Sequence, residues 1–172
     1  MVLELDPKLP KNFCTDHIRL SQIVLNLLTN AIKFTKEGIV KVTAERLEES
    51  PFWYKISVED SGIGMSPENV KKLFSNYTHI EFEGRQIMNP TGVGLGLKIA
   101  YNLAELLGPQ GELKQQGIQV QSILNQGPTF SFIIESQEDV LLEHEGAQGL
   151  ENFISSSKFE IAEELLTDNK VP

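Results

Sequence analysis

One cysteine, Cys14, occurs among 172 residues. That excludes an internal disulfide framework and leaves no thiolate cluster for a metal. No apolar run approaches the roughly 20 residues that span a bilayer, and the opening MVLELDPKLPKN has no signal-peptide core. The expectation is a soluble, cytoplasmic piece without direct membrane contact, whose parent protein is free to carry an anchor elsewhere. Basic residues are also few: 15 Lys and Arg stand against 24 Asp and Glu, a net charge of −9. No basic stripe tracks a phosphate backbone, so nucleic acid is not an expected partner.

What remains is ordinary enough to fold, since 40% hydrophobic content in a chain of this length suffices for one domain with a core. The charge, however, is uneven. Residues 136–172 carry nine acids against Lys158 and Lys170, a balance of −7, and the rest of the chain is only −2. An anionic ligand would therefore need local dipoles or a metal to hold it, because the overall field does not attract it. The division expected is a domain over 1–135 and an acidic tail or linker over 136–172, solvated or partly disordered, with an amphipathic pattern at Phe159, Ala162, Leu165 and Leu166.

The most informative stretch is Arg19 to Thr35, RLSQIVLNLLTNAIKFT. Leu20, Ile23, Val24, Leu27, Leu28, Ala31 and Ile32 recur at helical spacing and predict a core-facing stripe. Arg19, Gln22, Asn26, Asn30 and Lys33 share another face. Asn is a weak helix former, so two carboxamides one turn apart with an ammonium beyond suggest a ligand-binding face, although a plain solvated face also accounts for them. Thr15 or Asp16 can cap this helix, which should end near Lys36 with Gly38 as a left-handed stop.

Val2 to Leu5 reads as a short edge strand, closed off by Pro7 and Pro10. Ile39–Leu47 and Phe52–Val58 alternate as an antiparallel hairpin. The second of these strands runs into Glu59-Asp60-Ser61-Gly62-Ile63-Gly64, a carboxylate at a strand end followed by two glycines, which on its own is also a plain tight turn. A short helix capped by Ser66 follows, with Val70, Leu73 and Phe74 inward. Ser75 to Thr91 is a long loop. Thr91-Gly92-Val93-Gly94-Leu95-Gly96-Leu97 then opens a helix with stripe Leu97, Ile99, Ala100, Leu103, Leu106 and Leu107, which stops at Gly108-Pro109. Glycines at a helix start suit either a phosphate cradle or a flexible hinge. Ile118–Ile123 and Thr129–Ile134 supply two closing strands.

The order of these pieces resembles the ATP-binding domain of sensor histidine kinases, the Bergerat fold shared with Hsp90, gyrase B and MutL. Asp16-x-x-Arg19-Leu20-x-Gln22 followed by Asn26-Leu27-Leu28-Thr29-Asn30-Ala31-Ile32-Lys33-Phe34-Thr35 is similar to that family's N box, especially in hybrid kinases. The resemblance covers about residues 2–135. It implies an α+β fold, a two-layer sandwich whose mixed, mostly antiparallel sheet is covered on one face by about three helices.

It also implies ATP and Mg²⁺ as cofactors, with roles by position. Asn30 would ligate the metal, Lys33 would contact the phosphates, and Phe34 would pack on the adenine. Asp60 would accept from the adenine amino group, with Gly62 and Gly64 letting the chain pass close to the base. Thr129 would support the same end of the pocket. Gly92, Gly94, Leu95, Gly96 and Leu97 would form the phosphate-cradling turn, and Ser75–Thr91 the lid. Asn26 stands where the ATPase branches carry a water-activating Glu, and an amide cannot act as that base, so slow or absent hydrolysis is expected.

In this reading Asn26, Asn30 and Lys33 are the catalytic set, and the γ-phosphate passes to a histidine on a separate upstream helical domain. His17, His79 and His144 do not sit in the family's phosphoacceptor setting. The expected partners are that dimerisation and phosphoacceptor domain of the parent kinase and a downstream receiver-domain protein, the fragment itself being monomeric. The alternative is an ATP-binding docking module without transfer. The sequence departs from the family near Tyr77, at Thr91 and in the long connector GPQGELKQQG.

Overall fold

The computed structural model describes residues 1–10, 14–73, 95–110 and 117–136. Five strands form one sheet in the order β1-β2-β3-β5-β4. β1 (Val2–Leu5) pairs parallel with β2 (Val40–Arg46). Every other neighbour is antiparallel: β2 with β3 (Trp53–Asp60), β3 with β5 (Gly127–Glu135), and β5 with β4 (Gln119–Ile123). The helices are α1 (His17–Phe34), α2 (Pro67–Lys72) and α3 (Leu95–Leu107). The expected α+β sandwich with a mixed sheet and three helices is what forms.

Strand alternation sorts the two faces. Val42, Ala44, Tyr54, Ile56, Val58, Phe130, Phe132 and Ile134 share the covered face and are all buried. The other face carries exposed pairs such as Lys41 with Glu4 at 2.8 Å and Lys55 with Glu45 at 3.1 Å. Such pairs add little stability in water, and the same face also holds the buried Ser57 and Ile133.

α1 lies on the apolar face because its stripe matches it: Leu20, Ile23, Val24, Leu27, Leu28 and Ala31 are all buried. Each of the larger side chains contributes about 1.5–3 kcal/mol by leaving water. Asp16 caps the helix by accepting from the Arg19 N–H at 3.1 Å. The far end differs from expectation: the helix closes at Phe34, and Thr35 is extended, donating its N–H to the Ala31 carbonyl. Gly38 has φ of 141°, outside the left-handed helical region, and packs on Ser61, so it is a close-approach residue and not the helix stop.

α2 begins at the predicted Ser66 cap, which accepts from the Asn69 N–H, and Val70 and Leu73 pack against the core. Phe74 lies outside the described residues. In α3 the stripe is narrower than the sequence suggests. Ala100, Ala104 and Leu107 are buried, whereas Ile99 and Leu106 are 43% and 61% exposed. Ile99 and Leu106 are seven residues apart, two helical turns on the same outer flank, while the small Ala100 and Ala104 make the close contact.

Candidate functional site

Asp60 is the last residue of β3, and alternation with Ile56 and Val58 turns its side chain to the helix-covered side. It is 2% exposed. The Gly62 N–H donates to its Oδ1 at 2.9 Å, and the Thr35 hydroxyl donates to the same oxygen at 3.0 Å. Burial pushes the carboxyl above its ordinary range, opposed first by the Gly62 bond and then by the Thr35 bond. Both donors fall on Oδ1, and among the described residues no buried side-chain oxygen or nitrogen lacks a partner. No hydrogen bond from the described residues reaches Oδ2, which makes it the oxygen to test for a donor from outside the chain.

The glycines after Asp60 are required by the protein itself. A side chain on Gly62 would run into the Phe34 carbonyl and come within 2.7 Å of Asp60 Oδ1. Gly64, at φ of 61°, packs against the Ile123 carbonyl in the β4–β5 turn. The DSGIG segment thus joins three things at one corner: the end of β3, the C-terminus of α1, and the β4–β5 turn.

Along α1, Asn26 and Asn30 are half-buried and Lys33 is exposed. The Lys33 ammonium lies 5.7 Å from the centroid of the half-buried Phe34 ring. Asn26 meets the start of α3, where a Cβ on Gly96 would sit 2.5 Å from Asn26 Oδ1 and 2.9 Å from its Nδ2. Leu97 packs against the core. Gly92 and Gly94, the side chain of Leu95, the expected lid over 75–91 and the tail lie outside the described residues. A groove of ≈ 500 Å³ runs beside the first half of α1, lined by His17, Ile18, Ser21, Gln22, Leu25, Asn26 and Thr29. Of the predicted site residues it takes in Asn26 only; Asn30, Lys33 and Phe34 lie toward the other end of the helix, where Asp60 of β3 meets the C-cap Thr35.

One expectation is corrected. Thr129 pairs with Glu59, and cross-strand partners share a face, so Thr129 stands on the sheet face opposite Asp60. The hydroxyl that does support Asp60 belongs to Thr35. From the sequence Thr35 stands only within the motif running from Asn26, with no role of its own assigned. The available signal was a hydroxyl residue directly after the last apolar position of α1, at the point where a C-cap turns inward.

A divalent cation and an adenine nucleotide suit these donors. The carboxamide of Asn30 offers a neutral hard oxygen of the kind accepted by a cation otherwise held in phosphate and water oxygens. The Asp60 Oδ2 offers an acceptor at the rim of the apolar layer.

The family described as histidine kinase-, DNA gyrase B-, and HSP90-like ATPase matches residues 15–138. Among curated relatives, the aerobic respiration control sensor protein ArcB homolog of Haemophilus influenzae is 42% identical over 106 residues, covering 62% of this chain and 31% of that protein. Hybrid signal transduction histidine kinase C of Dictyostelium discoideum is 36% identical over 127 residues, 73% of this chain and 10% of its own. The chain thus spans less than a third of either relative. Among solved structures, full-length ShkA in complex with AMPPNP superposes with a TM-score of 0.59 at 28% identity, covering 80% of this chain and 26% of that one. The catalytic domain of histidine kinase ThkA gives 0.57 at 26% identity, covering 78% and 77%.

Proposed function

Because the chain belongs to the family of histidine kinase-, DNA gyrase B- and HSP90-like ATPases, we propose that it is the ATP-binding catalytic unit of a protein-histidine kinase in two-component signalling, serving a histidine on a separate helical dimerisation domain. The observation that carries this reading is the corner at Asp60, where a buried carboxylate with one oxygen held by Gly62 and Thr35 abuts the end of the helix bearing Asn26, Asn30 and Lys33. Histidine-kinase relatives and the AMPPNP-bound neighbour support an adenine nucleotide as the ligand.

In this proposal Asp60 selects adenine by accepting from its amino group, and Phe34 lies along the base. Asn30 would hold Mg²⁺ and Lys33 would contact the phosphates, with Gly96 and Leu97 at the start of α3 and the preceding Gly92 and Gly94 as the further phosphate contacts. Bound Mg-ATP supplies the phosphoryl group and the neutralising charge. The chain's own contribution is alignment, since in-line transfer needs positioned groups more than protein covalent chemistry. Asn26, an amide lacking basicity, does not activate water, which favours transfer over hydrolysis. Residues 1–135 form the catalytic unit, and a downstream receiver-domain protein is the further partner. Among the described residues no helix is long and apolar enough to cross a membrane.

Calorimetric titration with Mg-ATP should give a dissociation constant in the micromolar to millimolar range, weakened by Asp60→Asn and by Asn30→Ala. Mixing the protein with a separately made phosphoacceptor domain and radiolabelled ATP should yield acid-labile label on that domain. Nucleotide binding without any label transfer would identify a docking module instead, and unchanged titrations for both variants would remove the pocket assignment.

A further inference from the structure

The base-recognising carboxylate does not stand alone, and its second partner comes from a different element. Thr35 is the C-cap of α1. Its N–H closes the last helical hydrogen bond to the Ala31 carbonyl at 3.0 Å, while its hydroxyl reaches Asp60 Oδ1, 25 residues away in sequence, also at 3.0 Å. One residue thus ties the end of the Asn26-Asn30-Lys33 helix to the end of β3. The helix C-terminus is the negative end of a dipole, an unfavourable neighbour for a carboxylate. A donor placed there offsets both that and the loss of water around Asp60. Gly62 holds the same oxygen from the other side. With two donors converging on Oδ1, rotation of the carboxylate about its terminal torsion is restrained, a torsion that is otherwise broad.

We propose that Thr35 is a positioning residue for purine selection: its hydroxyl fixes the Asp60 carboxylate so that Oδ2 is presented to an amino group on the bound base, and it couples that orientation to the end of the metal- and phosphate-facing helix. This rests on the adenine reading of the site given above. Thr35 itself touches no ligand in this scheme. The requirement is for a hydroxyl, not for bulk, so serine satisfies it and valine, of nearly the same shape, does not.

The experiment uses the full 172-residue chain as wild type, Thr35→Val, Thr35→Ala and Thr35→Ser, with ADP and GDP as the probes in calorimetry and the Asp60 side-chain carboxyl carbon followed by NMR without nucleotide. Thr35→Val should weaken ADP roughly three- to tenfold, the share of a charge-assisted hydrogen bond that reaches the ligand. It should also narrow the ADP-to-GDP preference and raise the pH at which Asp60 titrates. Thr35→Ser should restore all three. Should the valine chain fail to fold, Thr35→Ala against Thr35→Ser gives the same comparison. Equal ADP affinity, equal preference and an unmoved Asp60 midpoint in folded Thr35→Val or Thr35→Ala overturn the proposal. A wild type that binds neither nucleotide overturns the adenine reading instead, while the carboxyl titration still decides whether Thr35 holds Asp60.

Discussion

Gly96 stands against Asn26 so closely that a methyl group in place of its hydrogen would lie 2.5 Å from the Asn26 carboxamide oxygen. The first turn of α3 and the middle of α1 therefore meet at a position that accepts only glycine without a shift. Leu28 and Ala31, on the buried stripe of α1, hold that helix against the sheet, so the movable partners are the Asn26 side chain and the start of α3.

Gly96→Ala is expected to displace one or the other. Overpacking of this kind costs about 1–3 kcal/mol, partly returned because alanine is the better helix former by about 1 kcal/mol. The chain should therefore remain folded, with a small fall in melting temperature and a clear loss of Mg-ATP affinity in a titration. Restoring affinity by adding Asn26→Ala, which removes the clashing amide, would instead locate the whole effect in that contact.

The pH response of Asp60 follows from the direction of its shift. Burial raises its pKa in the folded chain, so the folded state keeps a proton over a pH range in which the unfolded state has lost it. The associated stability is complete below the ordinary carboxylate value and disappears as pH rises through the raised folded value. Asp60→Asn, neutral throughout, should lack this component. Its unfolding free energy relative to wild type should improve as pH climbs across that window, measured by denaturant titration at a series of pH values. Nucleotide affinity should run the other way in the wild type, falling as acid protonates the acceptor.

Asp16 tests the fold apart from the site. It caps α1 through the Arg19 N–H and lies 41% exposed beside the Arg19 guanidinium. Asp16→Ala should cost about 1 kcal/mol from the lost cap, visible as a shifted urea midpoint. Mg-ATP affinity should change little, since the Asp60 corner is at the opposite end of the helix.

Much of this architecture was legible from residue spacing. The α1 stripe, the β2–β3 hairpin, the Ser66 cap and the closing strands all follow from periods of 3.6 and 2 together with short polar breaks. The misjudged positions share a cause, which is dependence on partners distant in sequence. Gly38 reads locally as a helix stop but is placed by Ser61. Ile99 and Leu106 read as core, yet the covered flank of α3 is the one that carries Ala100, Ala104 and Leu107. Thr129 carries the right chemistry on the wrong side of its strand, a matter of β3–β5 register that no local pattern discloses. Thr35 gains its role only through a contact 25 residues along the chain.

The parallel pairing of β1 with β2 carries a consequence for how this protein is handled. Val2–Leu5 satisfies the outer backbone groups of Lys41–Ala44, yet the family match begins at residue 15. Trimming the chain to the matched stretch would strip four residues from the margin of the sheet and leave β2 as a bare rim of unpaired amides and carbonyls. Rims of that kind recruit strands from other molecules. With those first few residues in place the exposed rim is a four-residue strand and not the seven-residue β2, a shorter template for recruitment that a boundary drawn from similarity alone would discard.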